Sequence, residues 1–174
     1  MKYFLDTEFS ELGLSHPITL ISIGIVSEDN REFYAINVQW YAQYNRPKAS
    51  PWVRDNVLSF LPTVHDITTN KQKAWEWTRI MSMEDIRNEL LAFIGNDTPE
   101  FWGYYADYDW VVFCQIFGAM IDLPKGWPMV CMDLKQLCQE KGNPELPSMP
   151  NCLKHHSLYD AREIKYRYDW LVNQ

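Results

Sequence analysis

Residues 1–39, MKYFLDTEFS ELGLSHPITL ISIGIVSEDN REFYAINVQ, decide the fold. Three β-rich runs, Tyr3 to Phe9, Thr19 to Ser27 and Glu32 to Gln39, are separated by turn-forming segments at Gly13 to Pro17 and at Glu28-Asp29-Asn30. Runs of that length with short connections fold as an antiparallel meander. Downstream the pattern changes to strand and helix alternation. Ser82, with Asp85 three residues on, caps an amphipathic helix carrying Ile86, Leu90, Phe93 and Ile94 and stopped at Gly95. Glu100 to Tyr105 reads as a strand, Trp110 to Met120 as an apolar helix and Met129 to Met132 as a short strand. Asp133 caps a helix from Leu134 to the Lys141-Gly142 stop, Asn143 to Asn151 with three prolines is loop, and Leu158 to Val172 is the last helix. The expected fold is α/β: a mixed sheet, a three-stranded antiparallel meander extended by parallel strands and flanked by helices, with the first strand central.

Residues 41–81 lose clear periodicity and contain Pro47, Pro51 and Pro62, with one short helix at Val53 to Phe60 before the polar stretch Thr68-Thr69-Asn70-Lys71. They read as an insertion on a single domain spanning 1–174, a length that suits one core. Apolar residues clustered there suggest a partner surface, for which a homodimer is one occupant.

Hydrophobic residues at 47% and charged residues at 22% exclude a disordered or low-complexity chain. Sixteen Lys and Arg against 23 Asp and Glu give a net charge of −7, which argues against holding nucleic acid by broad phosphate neutralisation. An acidic chain still processes nucleic acid when bound divalent ions supply positive charge at one point. The start has no signal-peptide pattern and no apolar run reaches membrane-spanning length, so a cytoplasmic protein without a membrane partner is expected. Cys114, Cys131, Cys138 and Cys152 form no C-x-x-C pair and read as free thiols. Of the 15% aromatic residues, a few exposed rings are available to stack on bases.

Three segments carry candidate chemistry. Asp6 and Glu8 lie two apart on the first strand and project from one face while Thr7 points to the other. Two carboxylates sharing a spot repel, which raises a pKa or demands a cation, and hard oxygen ligands suit Mg2+ or Mn2+. In Trp102-Gly103-Tyr104-Tyr105-Ala106-Asp107-Tyr108-Asp109 a carboxylate follows a strand, where open α/β sheets build sites. Spacing alone does not separate Asp109 from Asp107, and either can instead cap the helix that follows. In His155-His156-Ser157-Leu158-Tyr159-Asp160 an imidazole precedes the last helix and a carboxylate sits in its first turn. That pairing suits acid-base chemistry beside a metal, although an exposed His pair with a capping Asp has the same spacing.

Taken in order, D-x-E on the first strand, Y-D after a later strand and H-x-x-x-x-D at the last helix resemble the DEDDh exonucleases of the ribonuclease H-like fold. The resemblance spans nearly the whole chain. D-T-E-F, L-I-S-I-G, W-x-Y-Y-x-x-Y-D and H-x-x-L-x-D-A-R look like the small bacterial and phage 3′→5′ exoribonucleases, with Ser157 standing where Ala is more usual. The resemblance implies a ribonuclease H-like sheet, with Asp6, Glu8, Asp109 and Asp160 as metal-binding acids and His155 as the general base. It selects Asp109 over Asp107 and His155 over His156. It further implies two divalent cations, Mg2+ or Mn2+, clamping the scissile phosphate, water as the nucleophile, and release of nucleoside 5′-monophosphates from the 3′ end of single-stranded RNA or DNA, RNA preferred. Phe9 and Leu12, just beyond D-T-E, are candidates to sandwich the terminal base. Lys48, Arg54, Lys154 and Arg162 are candidates for phosphate contact. The same residues would serve a DNA exonuclease. A catalytically silent RNA-binding module is disfavoured because all five catalytic positions are filled.

Overall fold

A computed structural model describes residues 1–14, 16–41 and 48–174, so Pro47 lies outside the described residues. The expected meander is present as β1 (Lys2–Ser10), β2 (Thr19–Ser27) and β3 (Glu32–Asn37). The third strand ends two residues earlier than its hydrophobic run, because Val38–Tyr41 turns into a short helix, α1. β5 (Glu100–Gly103) and β6 (Met132–Asp133) extend the sheet beyond β1 in parallel, giving the order β4-β3-β2-β1-β5-β6. β4 (Ile80–Met81) is a two-residue strand parallel to β3 that the sequence pattern does not reveal. Among the described strands only β2 runs against the rest, and β1 is internal with a parallel neighbour on one side and an antiparallel one on the other. This is the expected α/β mixed sheet, consistent with a ribonuclease H-like fold.

Alternation along β1 sends its two faces into different layers. Tyr3 and Leu5 pack with Ile86, Leu90, Val112 and Phe113 from α5 (Met83–Ile94) and α6 (Asp107–Gln115). Phe4 packs with Leu134 and Cys138 of α7 (Leu134–Glu140) and Ile164 and Leu171 of α8 (Ser157–Val172). Each fully buried ring or branched chain here contributes roughly 1.5–3 kcal/mol of transfer free energy. α5 has the expected Ser82 cap, whose Oγ accepts from the Asp85 N–H at 3.1 Å, and stops at Gly95 with φ 62°. Asp133 caps α7, accepting from the Lys135 N–H at 2.6 Å. α6 begins three residues before the expected Trp110, so Asp107 and Asp109 both lie in its first turn, and its cap residue is Ala106.

Residues 48–81 hold more order than their sequence suggests. Ser50 caps α2 (Pro51–Asn56), a 3-10 turn covers Leu58–Phe60, and α3 (Asp66–Thr69) and α4 (Lys71–Trp77) follow. Val53, Val57, Leu58 and Leu61 are buried against Ile21, Tyr34 and Ile36 of the sheet and Leu158 of α8. α8 lies directly on β2 at Gly24: a Cβ there would sit 2.3 Å from the Leu158 backbone nitrogen. Beside it, the Ser22 and Ser157 hydroxyls share a buried 3.0 Å hydrogen bond, which gives the serine of the last motif a partner. Among the described residues no helix is long and apolar enough to cross a membrane.

Candidate active site

The cleft lies at the carboxyl ends of β1 and β5, where the first turns of α6 and α8 converge. It encloses about 300 Å³ and is lined by Asp6, Glu8, Asp109, His155 and Asp160, together with Phe9 and Lys154. Asp6 and Glu8 project from the face of β1 that α8 covers, and the register of β1 on β2 shifts immediately after Glu8. Carboxylate oxygens of Asp6, Glu8 and Asp160 lie within 4.8 Å of one another. Asp109 approaches from the other layer. Its Oδ1 accepts from both the Thr7 N–H at 2.9 Å and the Thr7 hydroxyl at 2.5 Å, which ties the start of α6 to the strand that carries the other two acids. Asp107 is exposed and faces away, lining a separate groove with Met129 and Val130.

Crowding of acids in a low-dielectric cleft shows in their proton affinities. Burial raises the Asp6 carboxyl well above the ordinary range, with the charges of Asp109, Glu8 and Asp160 adding to it. Burial, then Asp160 and Asp109, push Glu8 up to about 8. Asp109 rises to about 6 through burial even though the Thr7 hydrogen bonds pull it down. Asp160 is raised by burial and held back by the His156 N–H, which donates to its Oδ2 at 3.1 Å. Four carboxylates that resist ionisation together are a hard, all-oxygen donor set that a divalent cation would relieve, so the residues present fit Mg2+ or Mn2+. A second cluster, Cys152, Asp160 and Glu163, is less suited: burial lifts the Cys152 thiol to about 12, and Glu163 is paired with Arg167 at 2.9 Å.

His155 stands at the cleft mouth with φ 60°, its ring edge-on to Trp52 of α2 at 4.9 Å between centroids. His156 points the other way and is buried, which separates two histidines that sequence alone offers equally. Phe9 lines the cleft and stacks on Tyr108 at 5.7 Å, whereas Leu12 is 40% exposed and outside the cleft lining. Of the phosphate candidates, Lys154 lines the cleft. Arg162 does not: it is bound bidentately to Glu32 at 2.7 and 2.8 Å in another groove, because its position on α8 faces β3. Arg54 donates to the Ala49 carbonyl at 3.2 Å, and Lys48 is exposed.

The sequence reading missed Arg167, which lines the cleft, and Trp52, which packs against His155. Arg167 was within reach, since Asp160, Glu163, Ile164 and Arg167 follow the i, i+3, i+4, i+7 spacing of one helix face and all four line the cleft. All four cysteines are free, as expected.

Comparison with known proteins gives the family. Residues 1–168 match the family model described as the 3'-5' exoribonuclease Rv2179c-like domain. The chain is 37% identical over 171 residues to the 3'-5' exoribonuclease Rv2179c of Mycobacterium tuberculosis (strain ATCC 25618 / H37Rv), an alignment covering 97% of this chain and 91% of that one. It is equally similar to the 3'-5' exoribonuclease MT2234.1 of strain CDC 1551 / Oshkosh. With the match running from Met1 through most of α8, the chain belongs to the Rv2179c-like 3'-5' exoribonuclease family.

Proposed function

We propose that this chain is a DEDDh-type 3′→5′ exoribonuclease acting on the 3′ end of single-stranded RNA and using two divalent cations, Mg2+ or Mn2+, to release nucleoside 5′-monophosphates. The observation that carries the reading is the convergence of Asp6, Glu8, Asp109 and Asp160, all with raised proton affinity, beside His155 in one cleft. When bound, the ions would supply the positive charge that meets the phosphate and the developing 3′-oxygen charge. The protein's own part is division of labour. Asp6, Glu8 and Asp160 would hold the cations from one face of β1, and Asp109, fixed by Thr7, from the other layer. His155 takes the proton from the attacking water through an imidazole that stands at the cleft mouth. Phe9, backed by Tyr108, offers a ring to the terminal base, and Leu12 would close over its far side. Lys154, which lines the cleft, would contact the phosphate.

RNA is favoured over DNA because the family and both relatives are exoribonucleases. The proposed enzyme is one domain over 1–174 carrying an insertion at about 41–81, works in the cytoplasm, and can pair as a homodimer through apolar residues of that insertion. The test is digestion of RNA labelled at the 3′ or 5′ end, beside DNA of matched sequence, with Mg2+, with Mn2+ and after chelation. Early loss of a 3′ label as mononucleotide, faster on RNA and stopped by EDTA, is expected. Full activity after exhaustive chelation would remove the cation reading, and release of the 5′ label first would remove the polarity.

A further inference from the structure

Glu76 is an acid with 1% relative exposure, on a seven-residue helix far in sequence from every motif. Its carboxylate accepts from Lys73 Nζ at 2.8 Å, Gln72 Nε2 at 3.3 Å and His156 Nε2 at 3.3 Å. The last bond assigns the His156 proton to Nε2 and leaves Nδ1 buried without a partner. The His156 ring is stacked on Tyr34 at 4.8 Å and meets Tyr159 edge-on at 4.9 Å, so one ring is held on three sides. Burying such a set is costly, and a well-packed apolar group would fill the same space. The reason to keep it lies in what His156 carries. One residue before it is His155, in a left-handed conformation (φ 60°) that is uncommon for a non-glycine residue. At His156 itself the backbone N–H donates to Asp160 Oδ2, fixing the carboxylate that faces Asp6 and Glu8.

We propose that Glu76 and His156 are positioning residues that, by anchoring the junction before α8 to α4, set the rotamer of Asp160 and the backbone conformation of His155. The inference rests on the roles proposed above for those two residues. It makes residues 71–77 part of the active-site scaffold. Partners that orient a ligating carboxylate typically alter metal affinity or activity by about 10–100-fold when removed.

The test is Glu76→Leu, which keeps bulk but offers no acceptor, against Glu76→Gln, which keeps the acceptor oxygen for His156. Each is read by steady-state kinetics on single-stranded RNA, by calorimetric titration with Mn2+ alone and by thermal unfolding. Glu76→Leu is expected to lower kcat about 10–100-fold and to weaken Mn2+ binding while KM for RNA stays within a few-fold, and Glu76→Gln is expected to recover most of both. A folded Glu76→Leu protein with wild-type kcat and Mn2+ affinity overturns the inference. If Glu76→Leu fails to fold, His156→Phe decides on the same two readouts, since it keeps an aromatic ring against Tyr34 and removes the Nε2–H donor to Glu76. A wild-type protein that binds Mn2+ but leaves RNA intact would overturn the exonuclease reading instead, with the Mn2+ comparison still testing the positioning of Asp160.

Discussion

Replacing Glu8 by Gln should make the metal-free protein more stable at alkaline pH, although it removes a residue proposed to be essential. Every influence on Glu8 favours its protonated form: burial first, then Asp160 and Asp109. Its folded-state carboxyl keeps its proton up to about pH 8, against an ordinary value of 4.5. Between those limits the folded chain binds more protons than the unfolded one, so stability falls as pH rises through the window and the full cost is present above about pH 8. At about 1.4 kcal/mol per pKa unit the cost is a few kcal/mol. Gln carries the same shape without the charge. For a chain of this size each kcal/mol moves Tm by roughly 2–4 °C, so a gain on the order of 5–10 °C is expected at pH 8. Thermal unfolding followed by circular dichroism in EDTA reads it, with wild type and variant melting together near pH 4.5. Saturating Mn2+ should reverse the ranking at pH 8, because the chain that retains all four carboxylates binds the ion more tightly and is stabilised more by it. A Gln variant that melts no higher than wild type at pH 8 without metal, or gains equally at both pH values, would refute the crowded-acid account.

Asp6→Ala, Asp109→Ala and Asp160→Ala should each abolish most hydrolysis while Asp107→Ala keeps most of it, and an inactive Asp107 variant beside an active Asp109 variant would reverse the assignment. His155→Ala should lower turnover by about 10²–10⁴-fold with Mn2+ binding largely intact, an effect larger than that of any change at His156. Kinetics of both histidine variants at saturating metal check the order. Gly24→Ala should lower Tm and cost at least tenfold in activity, since its methyl group would press on the Leu158 nitrogen 2.3 Å away and push α8, with Asp160, off the sheet. Unchanged melting in that variant would mean the helix can shift without cost.

What was legible in the sequence was whatever repeats with a fixed period or a fixed spacing. β1 to β3, α5 and α8 announce themselves through alternation, a Ser82 cap and helical spacing, and D-x-E puts two acids on one strand face by geometry alone. Asp109 and Asp107 could not be separated that way, because their difference is tertiary: one meets Thr7 across the end of β1 and the other meets water. The same limit explains β4, whose two residues form a strand only because β3 lies beside them, and α4, whose seven residues are too few to show a period. Glu76 is the sharper case. In sequence it is one of 23 acids, with nothing nearby to distinguish it, and its partner stands 80 residues downstream. A buried acid acquires meaning only from what it is buried against, and here that is the histidine adjoining the proposed base. The resemblance between the two neighbouring histidines therefore conceals a division of work: one faces the cleft, and the other faces the core and holds it there.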